Sequence, residues 1–451
     1  MRTLFLWTAL LAALLWCGCS TVREARAVQR NEPKRRHAGE FTMPAVQAGV
    51  KAGSTLTLGE LEQIALKCNP AVRQADLAAA RAMLALSDAR SGYWPTSSLS
   101  AGHQRSTHNT DPRRETTRNT GNYNGSLSFN ILIYDFGETA AAVRSAQEAL
   151  SAAEEQCRAA RLDAVYNVRR YFFALKRAFD LHQVAVEAVQ QYKEHLDQVK
   201  AKFEVGTGLS YDVTKAEVDY NQALLTEITA ANTVQVGWAN LNQALGLAEN
   251  PEYKLGDWKL KEYGEDTDAL MKAARAQSPR LKAIEFQIAG ASADLDKAIA
   301  ALYPTFSLSF SGSVSGHDPG LPWLWNLALG LTGTANLFNG GRDMRAIESR
   351  VIALRTARSQ YAEREQAIYR NLREAVLTMQ RARRQFEVAK IAEKSAKENL
   401  DIVNEKFNYG KASSIERTDA QVAHSKSKAE VVTARFDLEE AQAALANILG
   451  E

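Results

Sequence analysis

The sequence predicts a mainly helical chain written twice, each copy carrying a helix, two strands, a very long helix and a shorter returning helix. Three observations predict it. Gly and Pro are scarce, 26 and 10 among 451 residues, while long stretches are rich in Ala, Glu, Gln, Lys and Arg. The two halves repeat at fixed offsets. Within each half the apolar period changes from two to that of a coiled-coil seam.

Prolines and glycines mark the repeat. NPAVRQADLAAARAMLALSDARSGYWPTSSLS begins at Asn69, and SPRLKAIEFQIAGASADLDKAIAALYPTFSLS begins at Ser278. Pro70 pairs with Pro279 and Pro95 with Pro304. IYDFG, ending at Gly137, pairs with LFNGG, ending at Gly341, and the offset is 204 from there on. Gly206 meets Gly410, and LNQALG ending at Gly246 meets LANILG ending at Gly450. The stretch from Gly137 to Gly246 has no net insertion against its copy, as two matched rods require.

Each element follows in order. A proline opens a helix of about 24 residues, because its fixed φ and missing N–H suit a first helical turn; YWP or LYP stops it. Next comes alternation. Phe306, Leu308, Phe310 and Val314 alternate with Ser307, Ser309, Ser311, Ser313 and Ser315. Trp323, Trp325, Leu327, Leu329 and Leu331 continue it, with Leu324 breaking the rule, and Leu127, Phe129, Ile131 and Ile133 form the apolar edge of the first copy. These are strands with one apolar and one polar face. After Gly137, residues Val143, Ala146, Leu150, Ala153, Cys157, Ala160 and Ala164 step by threes and fours. That is a coiled-coil seam in which alanines let neighbouring helices approach closely. No Pro or Gly interrupts it before Gly206, so the helix reaches on the order of 100 Å at 1.5 Å per residue.

The resulting divisions are a signal peptide over 1–18, a basic tether over 19–54, a first repeat over 55–246, a linker over 247–268 and a second repeat over 269–451. Strands fall at about 96–108, 122–134, 304–315 and 323–337, and long helices at about 138–205 and 342–409. The linker, with Pro251, Gly256 and Gly264, reads as a loop or a small connecting element.

The N-terminus reads as a targeting segment. Arg2 precedes LFLWTALLAALLW, short for a span and typical of a signal peptide's apolar region. Gly18 before Cys19 suggests cleavage at a lipidated cysteine, although Trp16 stands where a lipobox usually has Leu. Both readings, lipoprotein and ordinary signal peptide, export the chain. Cys68 and Cys157 remain in the body without CxxC or Cys/His spacing, and read as buried free thiols rather than a metal site.

The net charge of +3 is mostly local, since residues 20–51 contribute +4. No global basic field points to nucleic acid. No phosphate-binding loop, nucleophile elbow, zinc-protease or dinucleotide motif occurs. No enzyme and no cofactor are expected, and His182 and His195 are expected to be exposed on the long helix.

The strand pairs fit two settings. In a soluble sandwich the apolar face is core; in an outer-membrane barrel it meets lipid while the serine face lines water. Trp323 and Trp325 fit an interfacial girdle or core aromatics. Export, the absence of any other span and the polar face favour the membrane. Four strands cannot close a barrel that holds water, and open edges are prohibitive in lipid. The membrane reading therefore requires oligomerisation, and three copies supply twelve strands.

In this order and twice over, YWP and LYP, IYDFG and LFNGG, and the motifs KFEVG and KFNYG resemble the TolC-like outer-membrane factor family over about residues 55–450. The resemblance implies a homotrimer: a 12-stranded β-barrel in the outer membrane on a long α-helical coiled-coil tunnel across the periplasm. It implies an exit duct of a tripartite efflux or type I secretion system, fed by an inner-membrane pump through a periplasmic adaptor. The alternative is a periplasmic coiled-coil adaptor or scaffold without a pore.

The same resemblance makes KFEVGTGLSYDV and KFNYGKASSIER the two periplasmic tips. Gly206, Thr207, Leu209 and Ser210, with Gly410, Lys411, Ser413 and Ser414, become the adaptor-docking positions. Ser210 and Ser413 or Ser414 can cap the returning helices. Glu416 and Asp419 fall where the family often carries rings of acidic residues, spaced i and i+3 on one helix face, and Asp212 stands in the first tip. Rings of carboxylates attract cations, whereas an ordinary acidic first turn of a helix explains the same residues. Family members fasten the closed entrance with a Tyr and an Arg where this chain has Phe407 and Ala412, so that latch is absent or built differently. The loop from Gln104 to Gly121, with Arg105, Arg113, Arg114 and Arg118, is expected outside the cell, either solvated or meeting lipopolysaccharide phosphates. Nothing in the sequence selects the cargo.

Overall fold

A computed structural model of the chain describes residues 21–22, 25–26, 50, 53–111, 116–247, 251–261, 263–264, 266–318, 321–409 and 411–451. Most of the expected signal and tether segment, with Cys19, lies outside the described residues, as do Arg113, Arg114 and Gly410.

In chain order the elements are β1 (Thr55–Leu56), α1 (Leu58–Cys68), α2 (Pro70–Ser91), β2 (Thr96–Asp111), β3 (Thr116–Tyr134), α3 (Glu138–Glu204) and α4 (Ser210–Leu245). The second copy follows with β4 (Lys254–Leu255), α5 (Thr267–Gln277), α6 (Pro279–Ala300), β5 (Thr305–Asp318), β6 (Leu321–Thr334), α7 (Arg342–Asn408) and α8 (Ser414–Leu449). The long helices have 67 residues each and the returning ones 36 each. The long and the returning helices keep the offset of 204 at both ends, while the short helices before the strands are offset by 209. No described helix is long and apolar enough to cross a membrane.

The short helices α1 and α5 stand before the proline-led helices and have their own start signals. Thr57 and Glu60 form a reciprocal capping box at α1 (Thr57 N to Glu60 Oε2, 2.7 Å; Glu60 N to Thr57 Oγ1, 3.4 Å). Asp266 accepts from the amides of Asp268 and Ala269 at α5. Within the linker, β4 pairs in parallel with β1, Thr55 opposite Lys254 and Leu56 opposite Leu255.

The chain forms two compact units, one of residues 1–70, 167–259 and 395–436, the other of residues 71–166, 260–394 and 437–451. Each unit draws on both copies of the repeat. The first contains the hairpin tips. Its core holds Leu61, Ala65, Phe172, Phe173, Leu175, Leu241 and Leu245, and the linker is pinned to it through Trp258. That indole lies 6.0, 5.9 and 6.1 Å from the rings of Phe172, Phe173 and Phe436, with Lys176 and Arg435 over its face. Gly246 ends α4 at φ 78°, and a Cβ there would sit 2.5 Å from the Cys68 carbonyl oxygen. Only glycine combines that left-handed angle with so close an approach.

The second unit holds the four-stranded sheet and a core of Met271, Ala274, Leu281, Ile368, Leu372, Val376, Met379, Ala441, Leu445 and Leu449. Here Cys157 is buried and free, its Sγ 2.9 Å from an Asp76 oxygen that also receives Arg161; burial first, then Asp76, pushes the thiol pKa up. Cys68, in the first unit, is likewise in no disulfide but only half-buried, contrary to expectation, because it closes α1 at the break before Pro70.

Candidate functional site: an uncovered amphipathic sheet and two helical tips

The sheet runs β2–β3–β5–β6, antiparallel throughout. Residues directly opposite one another share a face, so the register sorts side chains across all four strands. One face carries the rows Leu99–Leu127–Gly312–Leu327 and Ser97–Phe129–Phe310–Leu329. The other carries Ser100–Ser126–Ser313–Asn326 and Ser98–Ser128–Ser311–Ala328. Hydroxyls pair along the latter, Ser98 to Ser128 at 2.7 Å and Ser100 to Ser126 at 2.8 Å. The rows alternate in character from one residue to the next, which is what a period of two in the sequence demands.

Among the described residues nothing covers the apolar face. Leu329 is 71% exposed and Leu331 68%, and Leu99, Trp325 and Leu327 are equally open. A contiguous apolar surface of this kind marks an interaction with lipid or another chain. Among the described residues, β2 and β6 each have one hydrogen-bonded neighbour in the sheet.

At the exit from β3 the motif IYDFG turns the chain into α3. Asp135 accepts from the amides of Gly137 (3.1 Å) and Thr139 (2.6 Å). Phe136 holds φ 51°, strained for a residue with a Cβ. Its ring stacks on Tyr303 at 5.1 Å and meets Tyr134 edge-on at 4.7 Å, an aromatic cluster at the border of the sheet.

The tips belong to the first unit. At the first, Gly206 has φ 77°, and the amides of Thr207 and Gly208 both donate to the Lys202 carbonyl at 2.9 Å. Thr207 adds its hydroxyl to the same oxygen. Leu209 is the N-cap of α4 and makes no side-chain cap. Ser210, expected to cap, is instead the first helical residue, because the turn places Leu209 one position earlier at the junction. Thr207, Leu209 and Ser210 are exposed, and Asp212 is half-buried in the first turn of α4.

At the second tip Ser413 is the cap. Its amide donates to Glu416 Oε2 at 2.9 Å, and the Glu416 amide donates to Ser413 Oγ at 3.2 Å, a second capping box. Glu416 and Asp419 are both exposed and line one groove with Lys406, Lys411 and Ala412. Ser414 faces elsewhere, its hydroxyl 3.1 Å from His195 Nε2.

His195 corrects a third expectation. It is 5% exposed, because it falls on the buried stripe of α3 with Tyr192, Leu196 and Val199, a periodicity that could have revealed it. Arg417, between the two acidic positions, joins it: Nη1 lies 2.8 Å from His195 Nδ1 and 2.7 Å from Gln198 Oε1, and Nε lies 2.8 Å from Asn404 Oδ1. Phe407 packs beneath, with Arg417 and Lys202 over its ring at 5.1 and 3.8 Å. Where the family resemblance leads one to expect a tyrosine, this chain has a buried phenylalanine under two cations.

The sequence model of the outer membrane efflux protein family matches residues 61–247 and 270–451, one segment for each repeat. The chain belongs to this family. Among curated proteins, Protein CyaE of Bordetella pertussis is 27% identical over 266 residues, 56% of this chain and 54% of that protein, so the chain spans about half that relative's length. Among solved structures, a membrane protein from Pseudomonas aeruginosa matches with a TM-score of 0.76 and 20% identity over 87% of this chain and 93% of that one. The CmeC outer membrane channel of Campylobacter jejuni matches with a TM-score of 0.76 and 20% identity, over 87% and 85%. At these identities the likeness is one of fold. As an outer membrane efflux protein the chain is located in the bacterial outer membrane, and the reading as a poreless periplasmic scaffold falls away.

Proposed function

We propose that three copies of this chain form the outer-membrane exit duct of a tripartite efflux or type I secretion system. The duct is passive: it performs no chemistry and takes its driving force from an inner-membrane pump through a periplasmic adaptor. The observation that carries the reading is the sheet, with one face apolar and uncovered, the other lined with hydroxyls, and an open strand on each side. Twelve strands from three copies give β6 of each copy the β2 of the next, which removes the edges that lipid forbids.

The dimensions fit a bilayer. From Tyr134 in the aromatic cluster to Gly125, in the row that ends at Trp325, the strand advances nine residues. At 3.4 Å per residue and a tilt near 40° this spans about 23 Å, the height of an outer-membrane apolar band.

In this duct the tips around Gly206, Thr207, Leu209 and Ser210, and around Gly410, Lys411, Ser413 and Ser414, take the adaptor. Glu416 and Asp419, with Asp212, form the acidic constriction, and Cys19 carries a lipid anchor. The capping box makes a clean test possible, because Gln at the third helical position preserves the cap while removing the charge. Reconstituted in a planar bilayer, the protein conducts and prefers cations; Glu416→Gln with Asp419→Asn lowers that preference without loss of conductance. Unchanged reversal potentials remove these residues from the constriction, and absence of any conductance overturns the duct.

A further inference from the structure

The contacts of His195 fix its protonation. The guanidinium of Arg417 can only donate, so His195 Nδ1, 2.8 Å from Nη1, must present a lone pair. The proton is then on Nε2, which donates to Ser414 Oγ at 3.1 Å. The imidazole is neutral and held between two residues of α8. Arg417 also bonds to Gln198 of α3 and Asn404 of α7, so one side chain of α8 ties three helices together at the tips. Phe407 completes the cluster, 6% exposed beneath Arg417 and Lys202.

We propose that this cluster is an acid-released clasp, which binds the second tip to α3 at neutral pH and lets go when His195 takes a second proton. The inference rests on the duct reading, because a clasp at this end of the chain matters only where there is an entrance to close.

Protonation would turn Nδ1 into a donor facing another donor and add a positive charge beside Arg417 and Lys202. The charged groups that act on His195 come from three helices: Arg417 of α8, Lys202 of α3 and Asp219 of α4. Only Asp219 favours the imidazolium, and its carboxylate is engaged by Lys215. Glu194 acts on Arg417 rather than on the imidazole. Burial first, then Arg417, lowers the His195 pKa to about 4. Released and hydrated, the ring returns toward its ordinary value of 6.5. The clasped state thus binds fewer protons than the released state between those limits. The clasp is fully favoured above pH 6.5 and weakens as the pH falls toward 4, by up to about tenfold per pH unit.

The test compares full-length wild type with His195→Gln at pH 7.5 and pH 5. Glutamine can accept from Arg417 and donate to Ser414 but does not titrate. In bilayers, wild-type open probability is expected to rise about tenfold or more at pH 5, while the variant stays at its pH 7.5 level. An equal rise in both proteins overturns the clasp and assigns the effect to Glu416 and Asp419; no rise in wild type overturns it as well. Amide exchange of residues 411–421 in the detergent-solubilised protein, corrected for intrinsic pH dependence, gives a readout independent of conduction. Faster exchange at pH 5 in wild type alone supports the clasp even if no current is found, a result that would fail the duct alone. Should His195→Gln not fold, Arg417→Gln replaces it, and the tip is expected to exchange rapidly at both pH values; persistent protection overturns the proposal.

Discussion

Phe203 and Phe407 stand at the same place in the two copies of the repeat, 204 residues apart in the motif KFxxG, yet Phe203 is 47% exposed and Phe407 is 6% exposed. The local chain is alike in both: each ends a long helix that is followed by a returning helix. The difference lies in what arrives from elsewhere. Phe407 is met by Lys202, His195 and Arg417, whereas the copy of Arg417 in the first repeat is Val213 and the copy of His195 in the second is Asn399. Duplication supplies the scaffold, and divergence at a few positions makes one tip different from the other.

Truncation of the two phenylalanines should therefore have unequal effects. Phe407→Ala removes a buried ring and two cation contacts, and is expected to destabilise the protein by about 3 kcal/mol. Phe203→Ala, at an open position, is expected to cost under about 1 kcal/mol. Denaturant titration of the solubilised protein measures both, and equal losses would show that the two tips are equivalent in solution.

Two glycines should respond to alanine with opposite signs. At Gly246 the added methyl would meet the Cys68 carbonyl at 2.5 Å, and the residue's φ of 78° is itself unfavourable to alanine. A loss of about 2 kcal/mol or more is expected, since the contact is with backbone that cannot rotate away. Gly59 lies in the first turn of α1 with nothing within 4 Å of an added Cβ. Alanine there should stabilise by about 0.5–1 kcal/mol through helix propensity. Thermal unfolding midpoints of the two variants, moving in opposite directions, check the assignment.

These contrasts show which features a sequence can carry. The alternation of helix and strand was legible because each change of period is bounded by Pro or Gly: Pro70 and Pro279 open helices, and Gly137 and Gly341 release the long ones. The pairing of β1 with β4 was not, since two-residue strands have no period to detect. Glu416 and Asp419 were singled out through the family resemblance, and the groove they share with Lys406 and Lys411 follows from their i, i+3 spacing on α8. The cluster of His195 with Arg417 was hidden because its partners are 222 residues apart, and a histidine reads as polar until its neighbours on the helix are known to be buried. Ser413 and Glu416 carried a capping-box spacing in plain view, which explains part of the acidic character of that first turn without reference to ions.

The faces of the sheet supply the last test. Leu329 lies midway along the apolar row pattern, opposite Phe310, and Ser311, next to Phe310, points to the hydroxyl face opposite Ala328. In a barrel the first meets the centre of the bilayer and the second meets water. Leu329→Arg should cost about 2–4 kcal/mol per copy, the penalty for arginine at the midplane of a barrel, and three copies multiply the burden on one assembly. Ser311→Arg places the same charge in the lumen, where hydration is retained. The expected outcome is loss of trimers from the outer-membrane fraction for Leu329→Arg, and normal trimers with altered single-channel conductance for Ser311→Arg. Were the two faces reversed, as in a sheet packed on an apolar core through its serine side, the phenotypes would exchange. Equal tolerance of both would mean that neither face meets hydrocarbon, and the uncovered leucines would then need a protein to cover them.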